Sequence, residues 1–175
     1  MSKDIDLRGY IRDVPDFPEP GILFRDVTPL LQTPIAFGAA IERLCEYVRS
    51  REPDVIVGIE SRGFIFGTPI AAALKLPFVP VRKPGKLPAA RMSVEYSLEY
   101  GTGQLDIHQD ALQRGQRVVI VDDLLATGGT ALGAAKLVEM IRGRVVGCCF
   151  LIELAALPGR ERLEDYDVFA AVVYD

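Results

Sequence analysis

Apolar and polar residues along the chain alternate between helical and strand periods. Over 4–14, Ile5, Leu7, Ile11 and Val14 recur at roughly helical spacing, and the proline-rich stretch 15–29 cannot prolong a helix. A short helix and then an ordered loop are expected. Pro34 behind Thr33 reads as proline in the first turn of a helix capped by Thr33, with Phe37, Ile41, Leu44 and Val48 on one face and an end near Pro53. The β-branched run 55–59 is bounded by polar residues and reads as a buried strand. The order then repeats, with a small-residue helix over 66–74, strands over 78–82 and 117–121, a helix over 130–141, and strands over 145–154 and 168–173. Strands alternating with helices predict an α/β fold with a doubly wound, mostly parallel sheet flanked by helices, because parallel neighbours need crossover connections.

The polar insert 83–112 breaks this alternation. Tyr96, Tyr100, Gly101 and Gly103 suggest a β-hairpin. In open α/β sheets the site lies beyond the carboxyl ends of the strands, so an insert of this kind is a candidate lid.

Composition narrows the picture further. A chain of 175 residues, 49% apolar and 25% charged, suits one globular domain. Its net charge of −4 provides no global basic field for nucleic acid or an anionic membrane, so an anionic ligand must be held by a local cluster. Cys45, Cys148 and Cys149 have no disulfide-framework spacing, and the adjacent pair would point to opposite faces of a strand, so buried thiols in a reduced compartment are expected. The N-terminal residues lack an apolar signal core and no apolar stretch is long enough to cross a bilayer, which makes a cytoplasmic location the expectation.

The segment 118–130 carries the most chemistry. An apolar strand leads into Asp122 and Asp123, then Leu124, and then the small-residue turn Ala126, Thr127, Gly128, Gly129 and Thr130, which opens a helix. A glycine-rich strand-to-helix turn brings backbone N–H groups close to a phosphate at the positive end of the helix dipole. Two adjacent acids would repel an anion alone; they make sense facing the hydroxyls of a sugar that bears the phosphate. The bland alternative, Asp and Thr as ordinary helix caps, explains one acid and one threonine but not the whole string. A second strand-end loop, Glu60-Ser61-Arg62 between glycines 58 and 63, offers backbone amides and a guanidinium fork for a multiply charged phosphate group, or else is a surface turn with a solvated arginine. A third cluster, Arg82, Lys83 and Lys86 around Pro84 and Gly85, is a solvated basic turn or a further anion contact.

These segments resemble the type I phosphoribosyltransferases. The string 122–130 is similar to that family's signature for phosphoribosyl pyrophosphate (PRPP), which implies that Asp122 and Asp123 meet the ribose hydroxyls and that the turn 126–130 holds the 5′-phosphate. The loop 58–64 matches the family's pyrophosphate loop, with Glu60, Ser61 and Arg62 at the ligand and a non-proline cis peptide placed near Glu60-Ser61. The acid in this loop varies among relatives, so the role of Glu60 stays open. The stretch 82–88 looks like the Arg-Lys-x-Gly-Lys-Leu-Pro stretch of adenine phosphoribosyltransferases, which implies that Arg82, Lys83 and Lys86 reach pyrophosphate, in some relatives across a homodimer interface.

Two more segments of the same resemblance speak to the acceptor base. The loop 16–29 looks like an adenine-binding loop within a hood over 1–33, which implies stacking by Phe24, edge contacts from the main chain of Leu23 and Arg25, and Leu124 against the other face of the base. On residue chemistry alone Phe24 is equally a core plug beneath a loop. The segment 96–101 is similar to the flexible catalytic loop at Glu99 and Tyr100, with Glu99 the implied acid or base at N9 of adenine. The implied reaction joins adenine and PRPP into AMP and pyrophosphate with Mg2+, and Arg62, Glu99 and Tyr100 are its implied catalytic residues. Mg2+ is expected on PRPP oxygens and water rather than in a protein cage.

Other readings are weaker. A PRPP- or nucleotide-sensing regulator would need a DNA-binding region, and the chain has neither the length nor a basic recognition helix. Gly85-Lys86 is followed by Leu87 rather than Ser or Thr, and Gly101-Thr-Gly103 lacks a third glycine, so other nucleotide motifs fail. The lone His108 lies outside every motif and is expected to be structural or solvent-facing.

Overall fold

The run 55–59 is buried at every position, as a strand covered on both faces must be. In a computed structural model that describes residues 5–97 and 101–175, it is the second strand of a five-stranded parallel sheet. The described chain forms two compact units, Met1–Arg43 and Leu44–Asp175.

In the first unit, the helix expected over 4–14 shrinks to a 3-10 turn at Leu7–Tyr10, followed by β1 (Arg12–Pro15), which pairs antiparallel with β2 (Leu23–Asp26). The helical spacing loses here to a long-range pair: Arg12 Nε lies 3.0 Å from Asp26 Oδ2 across the ladder, and the Arg25 guanidinium bonds Asp13. Asp26 also accepts from the Thr28 amide at 2.9 Å at the start of α1 (Thr28–Gln32), and that bond with Arg12 keeps its carboxyl below the usual range. α2 (Pro34–Ser50) follows with proline at its start, as the sequence suggests. Thr33, however, gives its hydroxyl to the Pro29 carbonyl at 2.9 Å rather than to the turn of α2.

The second unit alternates β3 (Val55–Ile59), α3 (Arg62–Leu74), β4 (Phe78–Val81), the hairpin β5 (Arg91–Ser97) and β6 (Thr102–His108), β7 (Arg117–Leu125), α4 (Gly129–Met140), β8 (Arg144–Leu154), α5 (Gly159–Arg162) and β9 (Val168–Tyr174). Strand order in the sheet is β4-β3-β7-β8-β9, and each pairing is parallel. Val57, Ile120 and Phe150 point to the face covered by Leu137 and Val138 of α4, where Leu105 and Ile107 of the hairpin join the same core. Gly58 points the other way, against Phe64 of α3 and Phe78, so helices cover both faces. Cys148 and Cys149 are both buried free thiols, and burial pushes Cys148 up to about 12, which leaves it inert. His108 accepts a hydrogen bond from the Ala89 amide at 3.4 Å, a structural contact at the base of the hairpin.

Candidate active site

β7 runs past the apolar residues 118–121 to Leu125, so both acids lie on the strand itself. Asp123 is 5% exposed, and Asp122 is half-buried with its Oδ1 accepting the Asp123 amide at 2.9 Å. Behind them the chain turns sharply into α4 through Gly128, whose φ of +79° suits glycine and whose absent Cβ would meet the Gly159 carbonyl at 2.8 Å. Gly128 is the N-cap of α4 and no side chain caps that end, so the ordinary-cap reading of Asp and Thr does not describe it. The first amides of α4 are thus directed into the turn with no capping oxygen, the arrangement that receives a phosphate.

The second loop leaves β3, the sheet neighbour of β7. The Glu60-Ser61 peptide is cis, at the position implied by the family resemblance. Ser61 precedes α3 without capping it. Gly63 in the first turn of α3 lies so close to β7 that a Cβ would sit 2.8 Å from the Val121 carbonyl and 2.9 Å from Asp122 Oδ1. Arg62 reaches across to Asp123, Nε to Oδ2 at 2.6 Å. The two loops therefore form one wall, because the parallel ladder holds their strands side by side.

Glu60 and Arg82 engage each other. Arg82 Nε lies 3.1 Å and Nη2 3.4 Å from the Glu60 carboxylate, which also accepts the Lys83 amide at 3.0 Å. Those contacts, with the nearby charge of Lys86, outweigh burial and hold the Glu60 carboxyl below its usual value. Arg82 also donates from Nη1 to the Lys86 carbonyl at 3.3 Å. Lys83 lines the cleft, whereas Lys86 is exposed and does not.

The resulting cleft has a volume of about 740 Å³. Glu60, Ser61, Arg62 and Lys83 line it together with Asp122, Asp123, Leu124 and the turn 126–130. Tyr96, Leu125 and Ala131 also line it, and the sequence motifs do not assign them to a site. The signal for Tyr96 is the period-2 alternation of β5, which turns it toward α4: a Cβ on Gly133 would meet the Tyr96 Cβ at 3.3 Å. Glu99 and Tyr100 lie outside the described residues.

The cleft is electrostatically tense. Burial raises the Asp122 carboxyl well above the usual range, and the Asp123 charge raises it further. Asp123 is raised by burial as well, while the Arg62 guanidinium pulls it back down. Two carboxylates and one guanidinium are fixed where a sugar with neighbouring hydroxyls would supply donors. Among the described residues no three His, Cys, Asp or Glu side chains are placed to hold a metal ion.

Within the first unit, Leu23, Phe24 and Arg25 lie on β2. Phe24 is half-buried with its ring edge-on to Phe17, centroids 5.2 Å apart at 74°, so it is not a fully buried core residue. Leu23 and Arg25, two residues apart on a strand, direct their backbone groups to the same edge.

Comparison with known proteins follows the same lines. Residues 26–173 match the family model of the phosphoribosyl transferase domain. The adenine phosphoribosyltransferase of Halothermothrix orenii is 55% identical over 165 residues, 94% of this chain and 97% of that protein. The crystal structure of adenine phosphoribosyltransferase from Thermoanaerobacter pseudethanolicus superposes with a TM-score of 0.94 at 52% identity, covering 96% of this chain and 98% of that one. The Saccharomyces cerevisiae enzyme, crystallised with an imino-altritol bisphosphate and adenine, superposes at 0.88 with 41% identity over 94% of this chain and 95% of its own.

Proposed function

The chain belongs to the adenine phosphoribosyltransferase family, and from that premise we propose that it transfers the 5-phosphoribosyl group of PRPP to adenine, yielding AMP and pyrophosphate. One observation carries the site assignment: the two anion-binding loops leave adjacent parallel strands, β3 and β7, and line a single cleft. PRPP needs two phosphate sites flanking one ribose, and the turn 126–130 and the loop 60–62 flank Asp122 and Asp123 in that way.

In the reaction, N9 of adenine bonds to the anomeric carbon as the bond to pyrophosphate oxygen breaks and its electron pair leaves with pyrophosphate. Positive charge on the ribose in an oxocarbenium-like transition state faces Asp122 and Asp123. Arg62 and Lys83 stand where charge accumulates on the leaving group, with Lys86 and Arg82 behind them. Ser61 and the first amides of α3 add backbone donors, and the α4 amides with Thr127 and Thr130 hold the 5′-phosphate. Glu99 takes the N9 proton. If Glu99→Gln kept full turnover in single-turnover kinetics, that role would be withdrawn.

The donor set fits Mg2+ bound by PRPP and water. Asp123 is occupied by Arg62, so Asp122 is the one acid of the pair left to support the ion's hydration shell. The ion would neutralise charge on the departing pyrophosphate. Phe24, with the main chain of Leu23 and Arg25, is assigned to adenine recognition, and so is Leu124.

No helix among the described residues is long and apolar enough to cross a membrane, and cytoplasmic action as a homodimer is part of the same proposal. Sedimentation equilibrium of the purified protein checks the dimer. The decisive assay supplies PRPP and Mg2+ with adenine, hypoxanthine, guanine, uracil or orotate in turn. AMP from adenine alone is expected; pyrophosphate release with none of them would overturn the assignment.

A further inference from the structure

Asp106 lies outside every assigned motif, yet it is completely buried, on β6 of the hairpin. A buried carboxylate is costly unless it is partnered, so its surroundings bear on what it does. Gln104 Nε2 donates to Oδ1 at 3.0 Å, and Arg91 Nε stands 3.1 Å from Oδ2 as an ion pair, although Oδ2 receives no hydrogen bond of good geometry. Burial pushes the Asp106 carboxyl up, but Gln104, Ser93, Arg91 and the Gly85 amide outweigh it, so the group stays ionised at neutral pH. Gly85 belongs to the basic turn that follows β4.

The backbone of Asp106 joins the same turn. Its amide donates to the Arg82 carbonyl at 2.8 Å and its carbonyl accepts the Arg82 amide at 3.0 Å, an isolated antiparallel bridge between the hairpin and the end of β4. Arg82 in turn clasps Glu60 of the pyrophosphate loop, and the Lys83 amide closes on the same carboxylate. The Asp106 carboxylate thus meets this turn at the Gly85 amide, and its backbone begins a chain of polar contacts through Arg82 and Glu60 to the cleft. At its end the Lys83 side chain has no ion-pair partner among the described residues and lines the cleft. Lysine carries substantial rotamer freedom, so the turn that bears it decides whether its ammonium group stays near a leaving group.

We propose that Asp106 is a positioning residue for pyrophosphate: it seats the turn 82–86 against the base of the hairpin and so holds Lys83 in the cleft. It touches no substrate itself. Arg82 and Glu60 belong to the same latch, so their charges are spent chiefly on each other. This inference rests on the reading of Lys83 as a pyrophosphate contact.

Asp106→Asn keeps the size of the side chain and removes its charge. Pyrophosphate is the probe, measured by its competition with PRPP, alongside AMP binding, which uses the turn 126–130 but not Lys83. The expected result is a weakening of pyrophosphate and a rise in KM for PRPP by about tenfold, the scale of one charge-assisted contact, with AMP affinity and thermal midpoint nearly unchanged. A parallel loss of AMP and pyrophosphate affinity would show only damage to the fold and would overturn the proposal. If Asp106→Asn does not fold, Arg91→Gln, at a half-exposed partner, is expected to weaken pyrophosphate alone by about threefold, less than a buried contact, since its charge is partly solvated; no change overturns the proposal. Lys83→Ala separates the two readings. If it leaves pyrophosphate affinity intact, the assignment of Lys83 fails; if it weakens pyrophosphate while Asp106→Asn does not, the positioning role fails.

Discussion

Asp122 and Asp123 are held next to each other on β7, where burial raises both carboxyls and the charge of Asp123 raises Asp122 further, while the Arg62 guanidinium draws Asp123 back down. A carboxyl whose folded pKa exceeds its unfolded value of roughly 3.9 binds more protons when folded across that interval, so stability falls as pH rises through it and stays reduced at pH 7. Asp122→Asn is therefore expected to stabilise the ligand-free protein at pH 7 by about 1 kcal/mol in urea unfolding, while PRPP binding is lost. The gain should shrink as pH is lowered through the raised pKa. A variant less stable than the parent at pH 7 would show that the pair is not repulsive. At the acceptor side, Phe24 contacts Phe17 by its edge and is half-buried, so its truncation leaves no large core cavity. Phe24→Ala is expected to raise KM for adenine by about tenfold or more, the worth of a stacked ring, with KM for PRPP little changed in initial-rate assays.

At the scale of elements, the site is made by how closely α3 lies on β7. Gly63 has no room for a Cβ: the nearest atoms are the Val121 carbonyl and the Asp122 carboxylate, which is anchored by the Asp123 amide. Gly63→Ala must push the first turn of α3 away from β7, which moves Arg62 off Asp123 and the loop 60–62 off the ribose. A fall of about 100-fold in kcat/KM is expected, the scale of ångström-sized misplacement, with a drop in thermal midpoint of a few degrees. Unchanged kinetics would mean that α3 has slack the packing does not show. The same closeness explains why β7 carries its acids as strand residues: its pairing with β8 continues to Leu125↔Glu153, so the backbone beneath Asp122 and Asp123 is fixed by the ladder.

For the whole molecule, the metal question is one of charge. Among the described residues no cluster is built to hold an ion, and the free carboxylate capacity of the cleft is about one group. Metal removal should then act on PRPP rather than on the protein. Chelation with EDTA is expected to abolish turnover and weaken PRPP binding, to leave AMP affinity within about twofold, and not to shift the thermal midpoint of the ligand-free protein, because no resident ion would be linked to folding. A midpoint that falls on chelation would reveal a structural metal.

The residues alone specified the alternation of strands and helices, hence a parallel α/β sheet, and the two loops with their chemistry, because hydrophobic period and glycine-rich turns are local properties of a chain. They misjudged 4–14, where helical spacing was overridden by the ladder of Arg12–Pro15 with Leu23–Asp26, and they stopped β7 short at its acids, since a polar residue reads as a strand end when its neighbours in space are unknown. Only the tertiary structure decided that β3 and β7 are neighbours, which merges the loop 60–62 and the turn 126–130 into one cleft. It also decided that Glu60 and Arg82 hold each other, and that Asp106 is buried beneath the basic turn. Strand order and the burial of a charge depend on contacts distant in sequence, and no periodicity encodes them.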